Sequence, residues 1–211
     1  IYFKGDWANQ FDAALTRDAP FWIAPFVQVQ APTMARKDSF AYGEFDDLQI
    51  LELPYAGGDL SMLILLPGKA DGLADLEAAL TAENLRRWTG NLWETEVEVF
   101  LPRFEIGQGF RLDATLAAMG MPDAFDEDKA NFAGMDGNEK WLYIGAVLHK
   151  AFVKVNEEGT EAAAATAVVM LARGLPMPPP IFRADNPFVF LIRERSTSTI
   201  LFLGRVVDPV Q

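Results

Sequence analysis

Apolar residues fall along this chain in short dense runs, separated by turn-forming residues, and only twice at helical spacing. The runs "FVQVQ" (26–30), "LQILELPY" (48–55), "LSMLILLP" (60–67), "EVEVFLPRFEI" (96–106), "KAFVKVN" (150–156), "FVFLIRE" (188–194) and "TILFLGRVVD" (199–208) are rich in β-branched and aromatic residues. Most are bounded by Gly, Pro or Asp, as strands are. "LSMLILL" is apolar without interruption and predicts a strand buried on both faces, whereas "EVEVF" alternates and predicts one wet face. Leu73, Leu76, Leu80 and Leu85 approximate helical spacing, with a break and restart near Thr81. Leu112, Leu116 and Met119 fall on one face of a second helix over 110–121, stopped by Gly120. No repeat and no compositional shift marks a domain boundary. The pattern predicts an α+β fold with long strands and few helices.

The composition is that of a globular chain of 211 residues, half of them apolar, with a net charge of −12. That charge argues against nucleic acid, heparin-like polyanions and anionic membranes as partners. No apolar run approaches the ~20 residues of a membrane span. With no cysteine, disulfides, zinc-thiolate sites and thiol nucleophiles are excluded.

Catalytic chemistry finds little to work with. The one histidine, His149, lies inside a strand pattern, where a hydrogen-bonded core residue is the ordinary reading, and no serine sits in a G-x-S-x-G elbow. The acids at 94, 96 and 98 alternate with apolar residues and read as the wet face of a strand. Asp46-Asp47 and Asp126-Glu127-Asp128 form further acid clusters, and "DEDKANFAGMDGNE" lacks the spacing of a calcium loop. "GQG" at 107–109 reads as a strand-to-helix turn. The chain is not expected to be an enzyme or to carry a metal or cofactor.

The segment "NEEGTEAAAATAVVMLARGLPMPPP" (156–180) is the unusual one. Residues 162–172 contain no charge, Pro or Gly. An Ala-rich helical turn or linker is the simplest account. If extended instead, Thr160, Ala162, Ala164, Thr166, Val168 and Met170 share a face, small at first and larger later. Nothing in 162–172 would forbid pairing inside a sheet, whereas Arg173, Pro176 and Pro178–Pro180 would.

"VNEEGTEAAAATA" closely resembles the hinge of the serpins, the serine protease inhibitors that trap a protease by loop insertion. "IYFKGDW", "LELPYAGGDLSMLILLP", "LPRFEI", "MGMPDAF", "HKAFVKVNEEGTEAAAATA", "ADNPFVFLIRE" and "ILFLGRVVDP" are similar to serpin segments and occur in serpin order, over essentially the whole chain. The resemblance implies a serpin fold with a large central sheet, smaller sheets and few helices. It implies one domain over 1–211 with a reactive-centre loop at 159–180. It also implies that the chain is the C-terminal portion of a longer protein, lacking N-terminal helices and strands, with that N-terminal remainder as a partner. Residues Glu158, Gly159, Thr160, Glu161, Ala162, Ala163, Ala164, Ala165 and Thr166 would form the hinge, Gly159 its pivot. In such inhibitors the bait residue usually lies fourteen positions after the hinge glycine, which gives Arg173, followed by Gly174, and a trypsin-like target. Met170, Leu171 and Met177 are alternatives that would redirect the protein to chymotrypsin- or elastase-like proteases. His149 would belong to the shutter and Trp7 to the breach. The implied mechanism is that of a suicide substrate: cleavage, a covalent acyl-enzyme, and insertion of residues 160–172 as a strand. A non-inhibitory carrier or chaperone is the rival. An extracellular location is expected, with the cytoplasm as the alternative, and the Ala-rich, cysteine-free, acidic composition points to a prokaryotic member.

Overall fold

A computed structural model describes residues 2–138, 141–160 and 178–211. The chain divides into two compact units, one of Lys4–Glu105 with Lys154–Gln211 and the other of the residues to Phe3 with Ile106–Val153.

The larger unit opens with strand β1 (Gly5–Asp6), followed by β2 (Arg17–Ala24) and the long β3 (Val27–Phe45). After these come β4 (Leu48–Pro54), β5 (Leu60–Pro67), α1 (Leu73–Ala79), α2 (Ala82–Thr89) and β6 (Trp93–Pro102). An eight-stranded sheet organises it, and β3 is the strand that joins its parts: Arg17↔Thr33 pairs β2 to β3, Thr33↔Pro102 through Tyr42↔Trp93 pairs β3 to β6, and Ala41↔Glu52 pairs β3 to β4. The sequence pattern showed only the start of β3. Its second half carries Arg36, Lys37 and Asp38, which hide the apolar alternation, yet these charges are matched in place: Arg36 bonds Asp38, and Lys37 reaches Glu96 on β6 at 2.8 Å.

The core lies on both faces of β5, all of whose residues from Ser61 to Pro67 are buried. Beneath α1 and α2, one cluster unites Leu48, Ile50, Leu63, Leu65, Leu76 and Trp88. Each such side chain contributes about 1.5–3 kcal/mol when fully removed from water. The two helices are separate because Leu80 ends the first, and the Thr81 hydroxyl accepts the Asn84 N–H at 3.1 Å to start the second. The anticipated break at Thr81 is thus a helix cap.

The apolar run at 96–106 is split. β6 ends at Pro102 and a new strand, β7 (Phe104–Arg111), begins after Arg103, whose N–H donates to the Pro32 carbonyl at 2.8 Å in the register of the β3–β6 ladder. β7 pairs with β8 (Leu148–Val155) in a two-stranded sheet. Gly107 and Gly109 lie within β7, so the expected strand-to-helix turn at "GQG" is a strand. For the same reason the helix expected over 110–121 is shortened to α3 (Asp113–Ala118), since Phe110 and Arg111 are still extended. Gly120, at φ +110, does end that helical region, but Met119 is 77% exposed and buries no helical face. A single helical turn, α4 (Ala133–Asp136), follows among loops.

Beyond β8, the pair Gly159–Thr160 forms β9, and β10 (Ile181–Arg183), β11 (Phe188–Glu194) and β12 (Ile200–Val206) complete the larger unit. β10 runs parallel to β6 at the sheet edge, and β11 lies between β5 and β12. Gly204 on β12 faces Phe190 on β11, and a side chain there would begin 2.7 Å from the Phe190 ring. The glycine therefore makes room for the aromatic packing of Phe190 on Phe104, centroids 5.4 Å apart. Large sheet, small sheets and few helices are the α+β architecture anticipated.

Candidate functional site

The four residues Asn156-Glu157-Glu158-Gly159 form a closed turn at the end of β8. The N–H of Asn156 donates to the Gly159 carbonyl at 3.1 Å, and the Gly159 N–H returns the bond at 3.3 Å. The Asn156 side chain accepts the Glu158 N–H at 3.2 Å, an arrangement that asparagine supplies readily. Gly159 has φ +127, a conformation that L side chains avoid, and a Cβ there would lie 2.5 Å from both the Gly5 carbonyl oxygen and the Trp7 nitrogen. Backbone shape and space thus both demand glycine.

That close approach exists because β1 and β9 pair antiparallel, Gly5↔Thr160 and Asp6↔Gly159. Trp7 continues the contact. Its main-chain N–H donates to the Glu158 carbonyl at 2.9 Å, and its indole N–H to the Asn156 carbonyl at 3.0 Å. The ring is 3% exposed and stacks on Tyr55 with centroids 4.6 Å apart. The turn is consequently bonded to Trp7, and Trp7 is held by the segment after β4, where Ala8 donates to the Pro54 carbonyl and Ala56 to that of Asp6.

Glu157 anchors the turn from the other side. It is only 6% exposed, and its carboxylate receives the Arg103 Nε–H at 2.8 and 2.9 Å, together with the Thr16 hydroxyl. Its main-chain carbonyl accepts the Phe11 N–H at 2.9 Å. Burial alone would raise the Glu157 pKa. The bonds from Arg103 and Thr16 outweigh that and hold it below the ordinary 4.5, so the group stays charged at neutral pH.

Of the residues anticipated from sequence, Trp7, Glu158, Gly159 and the backbone of Thr160 are brought together here. His149 is not among them. It sits on β8 in the smaller unit, half-buried, its ring 6.3 Å from that of Phe110. In that unit Tyr2 forms a parallel bridge with Phe152, and their rings stack 6.2 Å apart at 14°. Glu161, Ala162, Ala163, Ala164, Ala165, Thr166, Arg173 and Gly174 lie outside the described residues, as do Met170, Leu171 and Met177. Arg103, Thr16 and Tyr55 were not anticipated. Among the described residues no group of three or more His, Cys, Asp or Glu could hold a metal ion, and no helix is long and apolar enough to cross a membrane.

A family model described as serpin (serine protease inhibitor) matches residues 1–209. The chain is 48% identical over 213 residues to serpin B8 of Bos taurus, covering 99% of this chain and 56% of that protein. It is 45% identical over 217 residues to leukocyte elastase inhibitor of Homo sapiens, at 99% and 57% coverage. Among solved structures, uncleaved ovalbumin superposes with a TM-score of 0.85 at 33% identity, over 99% of this chain and 52% of that one. Human thyroxine-binding globulin gives 0.86 at 35%, over 98% and 54%. The chain spans about half the length of the curated relatives it matches. These relatives are eukaryotic, so the expectation of a prokaryotic member finds no support.

Proposed function

The chain belongs to the serpin family, and from that premise we propose that it is the loop-bearing part of a suicide-substrate inhibitor of serine proteases. The observation that carries this reading is the turn at Gly159. It is a glycine pivot bonded to Trp7 on one side and held through buried Glu157 on the other, from which small residues lead toward a candidate bait. The protease serine oxygen attacks the bait carbonyl and forms an ester, and the amine of the following residue leaves. The freed loop then enters the sheet as a strand before water can hydrolyse the ester. About thirteen residues at ~3.3 Å each span roughly 43 Å, enough to carry the protease across a domain. Tyr2 and Phe152, now bridged to each other, are where the sheet would part. His149, three residues before Phe152 on β8, keeps the shutter role as part of this proposal.

The target class follows the relatives. The name leukocyte elastase inhibitor favours an elastase- or chymotrypsin-like protease, engaged through Met170, Leu171 or Met177, over the trypsin-like target first expected. The count of fourteen from Gly159 favours the second reading, cleavage between Arg173 and Gly174. The same kinship favours the cytoplasm over secretion. A non-inhibitory carrier is less well supported, because such members tend to have bulky, charged or proline-containing hinges and residues 162–172 contain no charge or proline.

Incubating the protein with elastase, chymotrypsin and trypsin separately tests all of this. An SDS-stable complex with one of them supports inhibition, and the first residue of the released C-terminal peptide identifies the bond. Gly174 as that residue restores the arginine reading. Turnover without a complex for all three enzymes sinks the inhibitor reading.

A further inference from the structure

β10 is the shortest strand of the large sheet, three residues against seven or more in each of the other seven. Its ladder to β6 runs from Ile181↔Glu98 to Arg183↔Phe100. Two bonds bracket it: the Glu98 N–H donates to the Pro180 carbonyl at 3.0 Å, and the Ala184 N–H to the Phe100 carbonyl at 2.9 Å. One of its side chains, Phe182, is fully buried, and Tyr42 of β3 meets that ring edge-on with centroids 6.5 Å apart. A strand with so few contacts opens locally while its sheet stays folded.

A second attachment comes from the β3–β4 hairpin. To pack against Phe182, phenylalanine at position 42 would serve as well as tyrosine. The Tyr42 hydroxyl, on a residue 1% exposed, adds a polar group that must find partners. It donates to the Glu44 carboxylate and accepts a hydrogen of Gln49 Nε2 at 2.8 Å. The other hydrogen of the same Nε2 goes to the Ile181 carbonyl, the first of β10, at 3.2 Å. Both amide hydrogens of Gln49 are thus used. Burial, and then the bond to Glu44, push the Tyr42 pKa well above the ordinary 10. The hydroxyl therefore keeps its proton, and the relay runs in one direction at neutral pH. β6 and β3 separate β10 from β4 in the sheet order, so the bond from Gln49 to Ile181 belongs to no ladder. All of these contacts are made within the larger unit.

We propose that Gln49, oriented by Tyr42, is a catch on β10, and that these two positioning residues set how often the strand leaves the sheet. The control is remote in sequence: Gln49 precedes Ile181 by 132 positions. It acts on main chain, so it holds β10 whatever side chain stands at 181. The catch stands or falls independently of the inhibitor reading.

The test is hydrogen exchange, read amide by amide by NMR in the protein that carries this chain. The Glu98 and Ala184 amides report on β10. The Gly68 amide, which donates to the Asp47 carbonyl at the β3–β4 turn, reports on the hairpin itself. Gln49→Met keeps the length of the side chain and removes both donors. It should speed exchange at Glu98 and Ala184 by about tenfold, the effect of one hydrogen bond of ordinary net strength, with Gly68 unchanged. Tyr42→Phe keeps the ring against Phe182 and should speed the same two amides by about threefold, through loss of the bond that orients the carboxamide. Because the two residues act through one bond, the double variant should exchange no faster than Gln49→Met. Exchange at Glu98 and Ala184 within twofold of the parent in Gln49→Met overturns the catch. An equal rise at Gly68 overturns it as well, since the hairpin as a whole would have loosened. Tyr42→Phe without effect, or a double variant about thirtyfold faster than the parent, would show that Tyr42 does not act through Gln49 and would overturn the relay.

Discussion

Gly159 is the position where one methyl group should do most harm. With φ +127 and contacts of 2.5 Å waiting for any Cβ, Gly159→Ala must push β1 away from the turn or twist the turn itself. The backbone strain alone is about 1–3 kcal/mol, and a lowered melting temperature would register it. Glu157→Gln should cost about 1–3 kcal/mol, because the hydrogen bonds from Arg103 and Thr16 lose the negative charge that strengthens them. The pH dependence has a definite sign. Glu157 has a folded pKa below its ordinary 4.5, so its contribution is present above that value and fades as pH falls through the lower folded value. Acid melting curves of parent and Glu157→Gln should converge in that window; curves that stay parallel would show that the carboxylate does not hold the turn. Gly159, Trp7 and the turn could be picked out because "VNEEGTEAAAATA" and "IYFKGDW" resemble serpin segments. The partners of Glu157 could not, since Arg103 lies 54 positions away and Thr16 lies 141, and nothing in their local sequence points to it.

Among the elements, α2 depends on the Thr81 cap, and Thr81→Ala should destabilise the larger unit by about 1 kcal/mol, measurable by urea denaturation. The bridge between Tyr2 and Phe152 offers a sharper test. With Tyr2→Cys and Phe152→Cys joined under oxidising conditions, the protein should be cleaved by its protease without trapping it, and reduction should restore the covalent complex. Trapping at full yield by the oxidised form would show that the sheet parts elsewhere. The apolar strands β4, β5 and β11 were legible because burial on both faces leaves few polar positions to confuse the pattern. β2, the second half of β3, and β10 were not. β2 includes Pro20, β3 includes a run of charges satisfied only by β6, and β10 is three residues long at a sheet edge. The excess of helix assigned near Leu112 has the same origin: leucine spacing cannot reveal that "GQGFR" is already committed to pairing with β8.

At the scale of the whole molecule the proposed mechanism requires a starting state less stable than its end state. About thirteen inserted residues, each gaining roughly 0.5–1.5 kcal/mol in ladder hydrogen bonds, amount to about 7–20 kcal/mol. That corresponds to a rise of tens of degrees in melting temperature after a single cut in the loop. Calorimetry before and after limited proteolysis reads it directly, and an unchanged transition would remove the driving force the mechanism needs. The fold class was legible at this scale from strand-rich patterning alone. The division of the chain into two units was not, because no change of composition accompanies it.

The short ladder between Gly5–Asp6 and Gly159–Thr160 fixes one further thing. Its partners sum to 165 in residue number, 5 with 160 and 6 with 159. A segment that prolonged it without slipping would set Ala162 opposite Phe3 and Ala163 opposite Tyr2. Under the proposed mechanism, direction and phase would be chosen before any bond is cut, as in a zip fastener whose slider is already seated on its first teeth. On that reading the slow act of finding a partner would be behind the molecule, and only the quick act of closing would remain.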